Sequence, residues 1–182
     1  MLQGVGALFL RKSKELQGLG YGWFAQEQPI TINDNISEKA EDTLKLVQED
    51  LSGLLEKFNV NTSISAPSVY RDATDYIIWL YKACLVGADT GHLHRFIGTM
   101  PIRLPPAYLE LLESHDPLAM ALLARCLVLL SIVKYKWWLH GAGDYEVLDR
   151  DIRGISELMP TDFKWAMDWP RVVVAGHITL DV

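Results

Sequence analysis

The chain has 182 residues, 49% hydrophobic and 22% charged, and its 17 basic and 23 acidic residues give a formal charge of -6 at pH 7. This composition is typical of a folded globular domain and excludes a disordered polar chain. The net negative charge argues against direct nucleic-acid binding, because a phosphate backbone would repel it. The length suits one hydrophobic core, so we expect a single domain over residues 1–182.

The start of the chain lacks the basic region and the small-residue cleavage site of a secretory signal. The most apolar run, 118–133, contains Arg125 and Ser131 and is shorter than the roughly 20 residues of a membrane-spanning helix. Cys84 and Cys126 lie in apolar helical patterns, which is typical of buried free thiols. The sequence therefore predicts an intracellular protein, in the cytoplasm or the nucleus, without a membrane span.

The spacing of apolar residues predicts helices along most of the chain. A first helix, weakened by flanking glycines, covers 5–19. The clearest amphipathic pattern covers 36–58, where apolar residues recur three or four positions apart with charged residues between them. A second strong pattern covers 67–86, and a short helix follows at 107–113.

The next helix is the most apolar one, and we expect it at the centre of the fold. Asp116 as N-cap and Pro117 at the first helical position mark its start. Its pattern continues to Trp138 and is apolar on nearly every face, so other helices should surround it. Further helices are predicted at 144–158 and 162–169.

These elements together predict an all-α fold, a compact array of about six helices around the central apolar helix 117–138. We expect the ordered helical core to cover residues 35–170. The alternation of apolar and polar residues near the end of the chain is typical of a strand, but a single strand has no partner. Residues 171–182 are therefore predicted to form an extended tail or a dimer contact.

Motifs for catalysis and metal binding are weak. His92 and His94 have a spacing found in some metal sites, but no third ligand lies nearby, so we expect surface histidines and no metal. Neighbouring carboxylates such as Asp72 with Asp75 are best explained as a solvated helix face. No glycine-rich nucleotide motif and no serine-nucleophile motif is present. The sequence thus assigns no catalytic residue and no cofactor.

Aromatic and aliphatic side chains gather on the predicted central helices. Such stripes usually form the core, but they also line apolar pockets between helices. We therefore expect a pocket for a hydrophobic, lipid-like molecule, in which His140, Tyr81 or Arg125 would orient a polar end. The candidate ligand-binding residues are Trp79, Met120, Leu123, Leu127, Leu130, Trp137, Trp138 and His140.

An ordered set of short features covers residues 92–170. A histidine and an arginine precede Phe96 and Ile97, and after them come Met100-Pro101-Ile102, Leu111-Leu112, Asp116-Pro117-Leu118-Ala119, Trp137-Trp138-Leu139-His140-Gly141, Trp165 and Trp169-Pro170. This order resembles the sterol uptake control protein group of fungal zinc-cluster transcription factors. The resemblance implies an all-helical, often dimeric regulatory domain with a deep hydrophobic pocket for a sterol or a related lipid.

The zinc cluster of that family needs several closely spaced cysteines, whereas this chain has two, far apart. We therefore expect a regulatory domain that lacks its own DNA-binding module and forms a homodimer, or a heterodimer with a related factor. The alternative is a natural-product enzyme of the cyclase or isomerase type, in which the same cavity orients an apolar precursor. A third possibility is an interaction protein without a small ligand.

Overall fold

The computed structural model describes residues 37–61, 67–86, 93, 96–97, 100–131 and 144–176. These residues all belong to one compact unit within residues 32–182. The described part contains six α-helices of at least seven residues and no strand, which confirms the all-α prediction. The helix predicted at 5–19 lies outside the described residues, so the single domain over 1–182 stays a prediction.

The helices follow the predicted bounds closely at four places, 36–58, 67–86, 107–113 and 144–158. The α-helices of the described part are α1 (Glu38–Asn61), α2 (Pro67–Leu85), α3 (Met100–Arg103), α4 (Pro106–Glu113), α5 (Pro117–Val128), α6 (Asp144–Leu158) and α7 (Asp168–Val174). Two 3-10 helices accompany them there, Leu129–Ser131 directly after α5 and Thr161–Met167 directly before α7.

Helix α1 forms because its apolar residues repeat at helical spacing and its start is capped. The Ser37 hydroxyl accepts a hydrogen bond from the Ala40 N–H at 3.2 Å, which satisfies a donor that the first turn leaves unpaired. One face of the helix is buried and packs against α2. The apolar residues of this face are Ala40, Val47, Leu51, Leu54 and Phe58.

Helix α5 is the centre of the described fold, as its apolar sequence predicts. The Asp116 carboxylate caps it by accepting a hydrogen bond from the Ala119 N–H at 2.8 Å, and Pro117 occupies the first turn. Nine of its twelve residues are buried. The helix contacts α2, α4, α6, α7 and the 3-10 helix Thr161–Met167, so it takes part in more of the packing than any other described element.

The predicted extent of this helix, 117–138, needs a correction. The α-helix ends at Val128, and the Leu129 N–H turns to the carbonyl of Cys126, three residues back, as in a 3-10 helix. Residues 129–131 continue in that geometry. Residues 132–138 lie outside the described part of the chain.

Two buried tyrosines attach neighbouring helices to the backbone of α5. From α4, the Tyr108 hydroxyl donates to the Ala119 carbonyl at 2.9 Å, and from α2, the Tyr81 hydroxyl donates to the Arg125 carbonyl at 3.1 Å. Both rings are fully buried. Because the Leu129 N–H bonds elsewhere, Tyr81 supplies a donor to a carbonyl that has lost its α-helical partner.

A buried ion pair joins α1 to α5. The Arg125 Nε lies 2.5 Å from Asp50 Oδ2, and its Nη2 lies 2.9 Å from Asp50 Oδ1, a bidentate arrangement. The Arg125 Nη1 also donates to the carbonyls of Ala121 and Ala166. The Arg125 side chain is 4% exposed and that of Asp50 is 16% exposed, so the two charges are paired largely away from water.

The extended tail predicted at 171–182 is wrong for its first residues, because α7 continues to Val174. Pro170 is the third residue of α7, in the first turn, where a missing N–H costs little. The helix buries Pro170 and Val173 and ends near Gly176, whose φ of 76° suits a glycine after a helix. Residues 177–182 lie outside the described part.

The ion pair predicts a large effect of Asp50→Ala on stability. Removal of the carboxylate leaves the Arg125 charge buried without its partner, which we expect to lower the free energy of unfolding by about 3–5 kcal/mol. Urea denaturation followed by circular dichroism measures the change. Asp151→Ala is the matched control, because its pair with Arg150 is exposed at the surface and should contribute less than about 1 kcal/mol. Equal losses in the two variants would contradict the structural role of Asp50.

The two tyrosine hydrogen bonds predict unequal effects of the same substitution. Tyr108→Phe leaves the Ala119 carbonyl with its helical partner and should cost about 1 kcal/mol. Tyr81→Phe leaves the Arg125 carbonyl buried without the Leu129 N–H, so we expect a larger loss of about 1–3 kcal/mol. Thermal and urea unfolding of the two variants give the comparison, and a Tyr108→Phe loss as large as that of Tyr81→Phe would contradict it.

Candidate functional site

Four of the predicted ligand-binding residues lie along one side of α5 and the 3-10 turn after it. Met120, Leu123 and Leu127 follow each other at intervals of three and four residues, which places them on the same face of a helix, and Leu130 follows in the 3-10 turn. Met120 and Leu130 are buried, whereas Leu123 and Leu127 are half-buried. We call these four residues the leucine stripe. Trp137, Trp138 and His140 lie outside the described residues.

Trp79, the remaining predicted residue, belongs to an aromatic cluster on α2. Its ring lies 5.6 Å from that of Tyr76 and 5.2 Å, edge to face, from that of Phe96. The Tyr76 hydroxyl donates to the Phe96 carbonyl, and the Arg103 guanidinium lies 4.1 Å from the Phe96 ring centroid. The described contacts of Trp79 therefore hold Phe96 against α2, as expected of a packing residue.

The groups expected to orient a polar end of the ligand have other partners. Tyr81 donates to the α5 backbone, and burial raises its pKa well above the usual tyrosine value, so it stays a neutral donor. Arg125 pairs with Asp50. It projects from α5 nearly opposite to Leu127, because residues two positions apart in an α-helix are rotated by about 200° around its axis. Neither group serves the leucine stripe, which corrects that expectation. His140 lies outside the described residues.

Sequence reasoning missed a cleft of about 300 Å³ on this opposite side of α5. It is lined by α1, by Arg125, by Trp165 of the second 3-10 helix and by the first turn of α7. The α1 residues are Glu49, Asp50, Gly53, Leu54 and Lys57, and α7 contributes Asp168 and Trp169. In the chain, α1, Arg125 and residues 165–169 are at least 40 residues apart from one another, and only Arg125, Trp165 and Trp169 stand out in the sequence.

Both tryptophans of this cleft have cations against their rings. The Lys57 Nζ lies 4.9 Å from the Trp165 ring centroid, and the Arg125 guanidinium carbon lies 5.8 Å from that of Trp169, both within the range of a cation–π contact. Trp165 also packs on Phe58, with 5.3 Å between centroids. Both tryptophans are half-buried.

A second groove, of about 540 Å³, lies between α6 and α7 and includes Ile152 and Val172. Of its two acidic residues, Asp149 and Asp168, the first pairs with Arg153 of the same helix. Such an ion pair between neighbouring turns is common on solvated helix faces. The groove therefore offers less distinctive chemistry than the cleft between α1 and α7.

The buried titratable groups are poorly suited to acid–base or nucleophilic chemistry. Burial, reinforced by the nearby Cys84, raises the pKa of the Cys126 thiol far above its usual value, so the thiol stays protonated and unreactive. Burial likewise raises the pKa of Tyr108. Both cysteines are buried and neither forms a disulfide, as the sequence predicts. Asp72 and Asp75 are exposed, as expected for a solvated helix face.

Metal binding and membrane spanning can be examined only in the described residues. No group of three or more His, Cys, Asp or Glu side chains there is arranged to hold a metal ion, and His92 and His94 lie outside this part. None of the described helices is by itself both long and apolar enough to cross a membrane. The segments Pro106–Glu113 and Pro117–Ser131 reach that apolar length only together, across a bend of 106°.

Comparison of the chain with protein-family models, curated proteins and solved structures finds no match. The resemblance of residues 92–170 to fungal zinc-cluster regulators therefore stays a prediction based on the order of features in the sequence. What the structure adds is an all-α unit whose central helix carries an apolar stripe on one side and a charged, tryptophan-lined cleft on the other.

Proposed function

We propose that this protein is a regulatory domain that binds a hydrophobic small molecule, of sterol or lipid type, along the leucine stripe. The proposal includes the expected relation to fungal transcription factors and the expected absence of a DNA-binding module of its own. It also retains an intracellular location and a dimeric state, with itself or with a related factor.

One observation carries the proposal. Leu123 and Leu127, in the middle of the stripe, are half-buried, whereas nine of the twelve residues of α5 are buried. A helix face that borders water usually carries polar or charged residues. Here it carries leucines, and apolar side chains of this kind predominate in the lining of small-molecule sites.

The chemistry of the described residues favours binding over catalysis. The interior groups that could transfer a proton or attack a substrate are buried and hydrogen-bonded, and the pKa values of Tyr81 and Cys126 are raised by that burial. Binding of an apolar molecule needs none of these groups, because the removal of apolar surface from water provides the favourable free energy. If ligand binding shifts α5, the elements that pack on this helix would shift with it.

The proposal predicts that Leu123→Trp and Leu127→Trp abolish lipid binding while the protein stays helical. Each indole is larger than the leucine that it replaces and would fill space that the bound molecule needs. The protein is purified from a fungal host, bound lipids are identified by native mass spectrometry and extraction, and affinity is measured by displacement of a fluorescent sterol.

Leu158→Trp is the matched control, because Leu158 is 60% exposed on α6 and does not belong to the stripe. We expect this variant to bind like the unmodified chain. Unchanged affinity in both stripe variants would remove α5 from the site. A bound lipid that is converted to a new product during incubation would instead support the enzymatic alternative.

A further inference from the structure

Gly53 opens the cleft between α1 and α7. Glu49, Gly53 and Lys57 follow each other at intervals of four along α1, and all three line this cleft. A Cβ atom built on Gly53 meets nothing within 4 Å, so this position borders open space. The absence of a side chain there leaves room between Glu49 and Lys57 in the cleft.

The charges that line the cleft are unequally satisfied. Asp50 is neutralised by the bidentate contact with Arg125. Glu49 and Asp168 are exposed, and neither forms an ion pair or a side-chain hydrogen bond with another described residue. The three carboxylates and the two cations, Lys57 and Arg125, leave one net negative charge in the cleft. A ligand with one positive charge would complete this balance.

The two tryptophans of the cleft indicate which chemical group should accompany the positive charge of such a ligand. An indole face attracts cations and also stacks against flat rings, and Trp169 and Trp165 are both half-buried at the cleft. A volume of about 300 Å³ is at the small end of ligand sites. The cleft thus suits a compact molecule with one ring and a short charged arm.

We propose that this cleft binds a small aromatic amine in its protonated form, with the ring against Trp169 and the ammonium group received by Glu49 and Asp168. The site is separate from the leucine stripe, because Arg125 and Leu127 lie on nearly opposite sides of α5. The inference therefore does not depend on lipid binding, and the two functions can be tested independently.

The test uses phenethylamine as the probe and 3-phenylpropanoate, which has a similar shape and the opposite charge, as the comparison. Binding is followed by ¹H–¹⁵N NMR, through the indole N–H signals of Trp165 and Trp169, and by calorimetry. We expect the amine to shift these two signals and to bind at least about tenfold more tightly than the carboxylate. Its affinity should fall as salt is added, because exposed carboxylates are screened.

Gly53→Leu is expected to fill the cleft and weaken amine binding by about tenfold or more. Gly154→Leu is the matched control, since Gly154 also lies inside a helix with nothing within 4 Å of its added Cβ and does not line the cleft. Leu123→Trp should keep the amine affinity unchanged, which distinguishes this site from the stripe. If Gly53→Leu fails to fold, the double variant Glu49→Gln and Asp168→Asn decides, with the same loss expected.

Three results would overturn the proposal. The first is the absence of any shift in the indole signals at the highest soluble amine concentration. The second is a carboxylate affinity that equals or exceeds that of the amine. The third is unchanged amine affinity in a folded Gly53→Leu variant or in the double carboxylate variant.

Discussion

The arrangement of the described helices depends on the guanidinium group of Arg125. Its bidentate contact with Asp50 fixes α1 against α5, and its bond to the Ala166 carbonyl fixes the 3-10 helix that leads into α7. Pro170 contributes to this arrangement, because it has no N–H to donate to that carbonyl four residues earlier. One charged side chain thus connects three segments that are distant in sequence, and its burial is possible only because each of its three nitrogens is hydrogen-bonded.

The helices themselves could be predicted from local sequence, because the spacing of apolar residues and the capping residues act within a few positions. Asp116 and Pro117 are the clearest case, since both have the predicted role. The features that could not be predicted depend on partners far along the chain. Arg125 only interrupts an apolar run in the sequence, and nothing local indicates Asp50 as its partner. The expected extended tail was wrong at 171–174 because the burial of Val173 against the core outweighs the local alternation.

The candidate sites differ in the same way. The leucine stripe was predictable as a face of one helix, because Met120, Leu123 and Leu127 are related by helical periodicity alone. The tryptophan-lined cleft brings α1 together with residues more than 100 positions later, so no periodicity in the sequence reveals it. Glu49 and Gly53 are ordinary members of an amphipathic helix until Trp165 and Trp169 are placed beside them. Sequence reasoning therefore favoured an apolar ligand, and the charged side of the molecule became apparent only from the fold.

The missing N–H of Pro170 also bears on how this sequence can diverge. A lineage that replaces Pro170 gains a donor beside the Ala166 carbonyl, where it would compete with the Arg125 guanidinium. A lineage that loses Arg125 leaves that carbonyl, and the Asp50 charge, in need of new partners. We therefore expect substitutions at positions 50, 125 and 170 to depend on one another and to be inherited together. This covariation offers a way to recognise distant homologues whose helices have lost all other sequence similarity.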